Sequence, residues 1–82
     1  MVNTCIEISY KNARWTSSIK DAVIAIQGVF TPDVEVKGDM HICIVELWNR
    51  NDFRSIIPDR LDSVLSRMMN QKDLEGIKIY NF

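Results

Sequence analysis

The single histidine and the two cysteines are the side chains best suited to binding a soft metal ion. His41 and Cys43 alternate along one β-prone segment, whereas Cys5 belongs to another. A structural zinc site normally takes four such ligands. If a two-residue turn at Gly38 and Asp39 sets the strand register, Cys5 faces away from Cys43. No fourth ligand is evident in the sequence. The sequence therefore predicts no metal or other cofactor, and buried cysteines that act as small apolar side chains.

Carboxylates are the next candidates for chemistry, because general acid–base catalysis needs them paired or placed beside a histidine. Asp59 and Asp62 recur on the polar side of a predicted helix, and Asp73 follows in a polar connection. The chain has three glycines and shows neither a phosphate-binding loop nor a nucleophile motif. The sequence thus predicts that the protein is not an enzyme.

Basic residues beside aromatic ones are typical of nucleic-acid binding. Lys11 and Arg14 precede Trp15, and Arg50 and Arg54 follow the longest β-prone segment. The ten basic and eleven acidic residues leave a net charge of -1, which does not favour a polyanionic partner. Nucleic-acid binding through these loop arginines and lysines remains the alternative hypothesis.

Length and composition indicate one globular domain spanning residues 1–82. The hydrophobic fraction is 46% and the charged fraction 26%, both ordinary for a folded domain. The N-terminus does not resemble a secretory signal, and no apolar segment approaches membrane-spanning length. Two cysteines fit a reduced chain better than a disulfide scaffold. We therefore expect a cytoplasmic protein without a membrane partner.

Hydrophobic periodicity predicts the order β-α-β-β-α-β. Strands are expected at 4–10, 34–37, 40–48 and 77–80, the third being apolar on both sides. The first helix should begin at an N-cap among Thr16, Ser17 and Ser18 and end near Gly28. Residues 71–76 are expected to form a loop. The apolar stripes of the two helices comprise Trp15, Ile19, Ala22, Val23, Ile26 and Phe30, and Ile57, Leu61, Val64, Leu65 and Met68.

Right-handed crossovers then predict a ferredoxin-like α+β fold. Two βαβ units joined by a hairpin produce an antiparallel sheet of order 4-1-3-2 with both helices on one face. A two-residue turn at Gly38 and Asp39 places Val36 opposite His41 and directs Cys43 toward the helices. A three-residue turn would reverse the faces of the third strand.

The uncovered face of this sheet is the candidate working surface. Apolar side chains there form a patch that a monomer rarely leaves exposed. Its predicted partner-binding residues are Met40, Ile42, Ile44, Glu46, Trp48 and Tyr80. We therefore expect a small non-catalytic interaction protein, such as an accessory, regulatory or inhibitor subunit. It would dock a protein partner or a second copy of itself.

Overall fold

Four strands and two helices account for the secondary structure of the computed structural model, which describes residues 4–25, 32–47 and 59–81. The strands are β1 (Thr4–Lys11), β2 (Asp33–Lys37), β3 (Met40–Leu47) and β4 (Leu74–Asn81). The helices are α1 (Thr16–Ile24) and α2 (Asp59–Asn70), and a 3-10 turn at Ala13–Trp15 precedes α1. The predicted α+β class is confirmed.

The strands form one antiparallel sheet of order β2-β3-β1-β4, which reads β4-β1-β3-β2 from the opposite edge. The centre of the sheet is therefore the β1–β3 pair, and β2 and β4 are its edges. Antiparallel pairing lets one face lie against the core while the other remains available to solvent or a partner.

The hairpin between β2 and β3 has the predicted two-residue turn. Gly38 adopts φ +63°, a left-handed conformation that glycine accepts without a steric penalty. Val34 pairs with Cys43, and Val36 pairs with His41. This register confirms which side of β3 shares a face with Val34 and Val36. Val36 itself is 62% exposed, because it lies on an edge strand near the hairpin.

The hydrophobic core lies on one face of the sheet, where side chains of β1 and β3 join the buried side chains of both helices in one cluster. Alternation along β1 buries Ile6, Ile8 and Tyr10 on this face, beside Cys43 and Val45 of β3. The buried helical residues are Trp15, Ile19, Ala22, Val23, Leu61, Val64, Leu65 and Met68. They belong to the predicted stripes, whose remaining members Ile26, Phe30 and Ile57 lie outside the described residues.

The start of α1 differs from its prediction. No side-chain cap forms at this helix start, where Trp15 occupies the N-cap position. Instead, the Asn12 side chain accepts a hydrogen bond from the Arg14 amide at 3.1 Å and caps the preceding 3-10 turn. The Thr16 hydroxyl is hydrogen-bonded to the buried Tyr10 hydroxyl. The helix ends at Ile24 with Ala25 as its C-cap, so the predicted end near Gly28 is wrong; Gly28 itself lies outside the described residues.

Strand β4 is longer than predicted, because it begins at Leu74 within the expected 71–76 loop. Leu74 pairs with Tyr10 after a register shift in the β1–β4 ladder, so the pairing continues past an irregularity. Asp73 strengthens this junction: its carbonyl accepts the Lys11 amide at 2.8 Å, and its amide donates to the Met68 carbonyl at 2.9 Å. Neither helix of the described residues is long and apolar enough to cross a membrane.

Candidate docking interface

The sheet face opposite the core is the candidate docking interface, and we call it the open face. Neither α1 nor α2 belongs to this side, since their buried residues join the core on the other. The pairing register places these residues on the open face: Asp33, Glu35 and Lys37 of β2, Met40, Ile42, Ile44 and Glu46 of β3, Cys5, Glu7, Ser9 and Lys11 of β1, and Gly76, Lys78 and Tyr80 of β4.

An apolar strip occupies the third strand in this face. Met40, Ile42 and Ile44 are each partly buried, and they alternate along β3 between rows of polar side chains on β2 and β1. Tyr80 extends the apolar surface at the β4 edge and is 43% exposed. The strip is thus accessible, and its apolar atoms are available for burial by a binding partner.

Charges on the open face are distributed unevenly along the strand direction. Lys37 and Lys11 flank Met40 at the hairpin end of β3. Glu46 lies at the other end, and Asp33 and Glu7 flank Ile44 beside it. Lys78 pairs across from Glu7. The face therefore has a basic end and a more acidic end, with the apolar strip running between them.

Cys5, Glu7 and Tyr80 form a small polar group at the β1–β4 boundary. Cys5 is 4% exposed even though it belongs to the open face, and Tyr80 is its cross-strand partner. Hydrogen bonding with the Cys5 thiol and then with Glu7 raises the pKa of the Tyr80 hydroxyl. The Tyr80 hydroxyl is thus engaged by neighbouring groups of the same face.

The structure brings together five of the six residues predicted for partner binding. Met40, Ile42, Ile44, Glu46 and Tyr80 share the open face. Trp48, the sixth, lies outside the described residues.

The residues of the nucleic-acid alternative are not brought together where they are described. Lys11 lies on the open face and its ammonium is 3.3 Å from a Glu75 carboxylate oxygen. Arg14 lies in the turn before α1, with its guanidinium 4.0 Å from Asp73. Arg50 and Arg54 lie outside the described residues, so their part of that hypothesis remains a prediction.

Two features of the surface were not anticipated from the sequence. The charged residues of β2 join the open face, which alternation along that strand could have predicted once its valines were assigned to the other side. The second feature is a groove between the helices that includes Arg67. It depends on how α1 and α2 pack, and no local pattern indicates it.

No group of three histidine, cysteine, aspartate or glutamate side chains within residues 4–25, 32–47 and 59–81 could hold a metal ion. Comparisons with protein-family models, curated proteins and solved structures find no match to this chain. Function is therefore inferred from the geometry of the surfaces.

The two thiols lie on opposite faces of the sheet, which leads to a testable expectation. Cys5 pairs with Glu46 and Tyr80, whereas Cys43 faces the core and pairs with Ile8. Burial is the main reason that the pKa of Cys43 rises to about 11. Since thiolate is the reactive form, we expect neither an intramolecular disulfide nor rapid alkylation of Cys43 in the native protein.

Intact mass spectrometry after iodoacetamide treatment measures this directly. The folded protein should leave Cys43 unmodified, and the denatured protein should take up two labels without prior reduction. A folded, non-reduced protein two mass units lighter and resistant to labelling would contradict the placement of the cysteines.

Proposed function

We propose that this protein is a non-catalytic docking module whose open face binds a second copy of the chain. We further propose that its sheet and helices form a ferredoxin-like βαββαβ architecture. The cytoplasm is the proposed location, because thiols that cannot pair within one chain suit a reducing compartment. The single observation that carries the proposal is the accessible apolar strip of Met40, Ile42 and Ile44 on the open face.

The size of the face is consistent with a reversible dimer. Three strands about 26 Å long and one about 16 Å long, spaced about 4.8 Å apart, present a face of about 450 Å² per copy, or about 900 Å² in total. This is near the lower limit for a specific protein–protein interface. The expected complex is therefore a weak or transient dimer rather than an obligate one.

The distribution of charge favours a second copy as the occupant. In a two-fold face-to-face dimer with antiparallel strands, the basic end near Lys37 and Lys11 would approach the acidic end near Glu46 of the other copy. The apolar strips would then cross at the centre. One surface thus supplies both sets of complementary groups, as a two-fold interface requires.

Substitution of Ile44 by glutamate tests this interface. Ile44 lies within the strip and outside the core, so the variant should fold, but its carboxylate would be desolvated between the two copies. We expect dimer affinity to fall by about 100-fold or more, equivalent to about 3 kcal/mol. Sedimentation equilibrium of the wild type and the variant over a concentration series measures the change.

Ile24→Glu is the matched control. Ile24 is 60% exposed on α1, away from the open face, so the same substitution should leave both folding and dimer affinity unchanged. A wild type that remains monomeric at every concentration would refute the second copy as occupant. Equal weakening by both substitutions would also refute it, since the effect would then come from net charge. Salt-sensitive binding of RNA or DNA by a monomeric wild type would support the nucleic-acid alternative instead.

A further inference from the structure

A shallow pocket opens between the two helices, on the side of the molecule away from the open face. It has a volume of about 170 Å³ and is lined by Arg14, Trp15, Ser18, Arg67 and Gln71. We call it the arginine pocket. Its residues come from the turn before α1, from α1, from α2 and from the residue that follows α2.

Trp15 provides a rigid floor for the two arginines. Its indole is 3% exposed, and its Nε1 donates a hydrogen bond to Asp73 Oδ2 at 2.7 Å. The Arg14 guanidinium carbon lies 4.5 Å from the centre of this ring, and that of Arg67 lies 5.4 Å from it. Stacking on an aromatic ring restricts a guanidinium while leaving its N–H groups available to an anion.

The arginine pocket retains positive charge that the described residues do not neutralise. Arg14 has only a distant ion pair, since its guanidinium lies 4.0 Å from the Asp73 carboxylate. That carboxylate has a nearer contact, the indole N–H of Trp15 at 2.7 Å. Within residues 4–25, 32–47 and 59–81, no carboxylate forms an ion pair with Arg67. The Ser18 hydroxyl and the Gln71 amide add neutral hydrogen-bond donors to the same lining.

A second depression of about 250 Å³ adjoins the arginine pocket and shares Ser18 and Arg67 with it. It adds Arg60 and Ser63, but it also contains Asp21. Asp21 lines the second depression directly and disfavours a doubly charged anion there, whereas Asp73 does not line the arginine pocket, which is therefore the better place for such a group. The second depression, which Arg60 also lines, can accommodate the part of a ligand that does not carry the anionic group.

We propose that the arginine pocket binds the phosphoryl group of a small phosphorylated ligand. Planar guanidinium groups match the oxygen geometry of a phosphoryl group and can donate two parallel hydrogen bonds. The guanidinium groups of Arg14 and Arg67 both lie against the Trp15 ring. Together with the Ser18 hydroxyl and the Gln71 amide, they offer enough hydrogen-bond donors for the three terminal oxygens of a phosphoryl group. This site is independent of the proposed dimer, because it lies on the helical side.

Titration of the wild-type protein with inorganic phosphate and with phenyl phosphate tests the site. The readout is the NMR signal of the Trp15 indole N–H, because the indole belongs to the lining of the arginine pocket. We expect saturable shifts with both probes and tighter binding of phenyl phosphate, since its ring can occupy the second depression. Sodium chloride at equal ionic strength should produce no saturable shift. Absence of saturation with both phosphates, or the same response to chloride, would overturn the proposal.

Substitutions at Arg67 test which group recognises the phosphate. Arg67 is exposed on α2, and glutamine is compatible with a helix, so Arg67→Gln should fold and weaken phenyl phosphate binding about tenfold. Lys20→Gln is the charge-matched control, because Lys20 lies on α1 but lines neither the arginine pocket nor the second depression, and it is not part of the open face; its binding should equal that of the wild type.

Arg67→Lys keeps the charge but removes the planar fork, and it should bind more weakly than the wild type. Arg14→Gln repeats the test if Arg67→Gln fails to fold. Equal losses in Arg67→Gln and Lys20→Gln would overturn the assignment. Loss of the dimer in Ile44→Glu with phosphate binding retained would support the independence of the arginine pocket from the open face.

Discussion

Replacement of Leu61 by alanine is expected to lower the free energy of unfolding by about 2–5 kcal/mol, the usual cost of emptying a leucine site in a core. Leu61 is fully buried on α2 and belongs to the cluster that joins both helices to the sheet. A domain of 82 residues has a small free energy of unfolding, so a loss of this size is a large part of the total. Urea denaturation followed by circular dichroism would measure the loss.

Two exposed positions provide controls for this effect. Met69→Ala lies on the same helix at a side chain that is 64% exposed, and Ile24→Ala lies on α1 at one that is 60% exposed. Both should change the unfolding free energy by less than about 0.5 kcal/mol, as surface substitutions usually do. A loss at either control equal to that at Leu61 would show that the helical faces are assigned wrongly.

Substitution of Asp73 by alanine should destabilise the protein by about 1–3 kcal/mol, because it leaves the buried Trp15 indole N–H without its acceptor. The existing hydrogen bond is 2.7 Å long and joins the start of the helical layer to the residue before β4. The two backbone hydrogen bonds of Asp73 do not depend on its side chain. The expected loss therefore reports on the side-chain contact.

Asp73→Asn is the matched control, since its amide oxygen can still accept the indole N–H. It should retain most of the stability that Asp73→Ala loses. A double-mutant cycle with Trp15→Phe isolates the pair, and thermal and urea unfolding of the four proteins supply its free energies. If Asp73→Ala costs as much in the Trp15→Phe background as in the wild type, the two side chains are not coupled.

Local patterns in the sequence were sufficient to predict the elements and their faces. Alternation in β1 indicated that Ile6, Ile8 and Tyr10 share a side, and helical spacing in α2 selected Leu61 and Met68. These signals depend on two fixed periods, of two residues for a strand and 3.6 for a helix. The two-residue turn at Gly38 then determined the register of β3, and with it the four predicted docking residues that the structure describes on that strand.

Only the tertiary structure decided features that join residues distant in the chain. Thr16 does not cap α1, because the hydroxyl of Tyr10 on the sheet is its partner. Strand β4 begins at Leu74 because the end of β1 offers a pairing partner there. Likewise, Arg67 reaches Trp15 only after α1 and α2 have packed side by side. Such contacts depend on how whole elements pack against each other, so the periodicity of any one segment does not predict them.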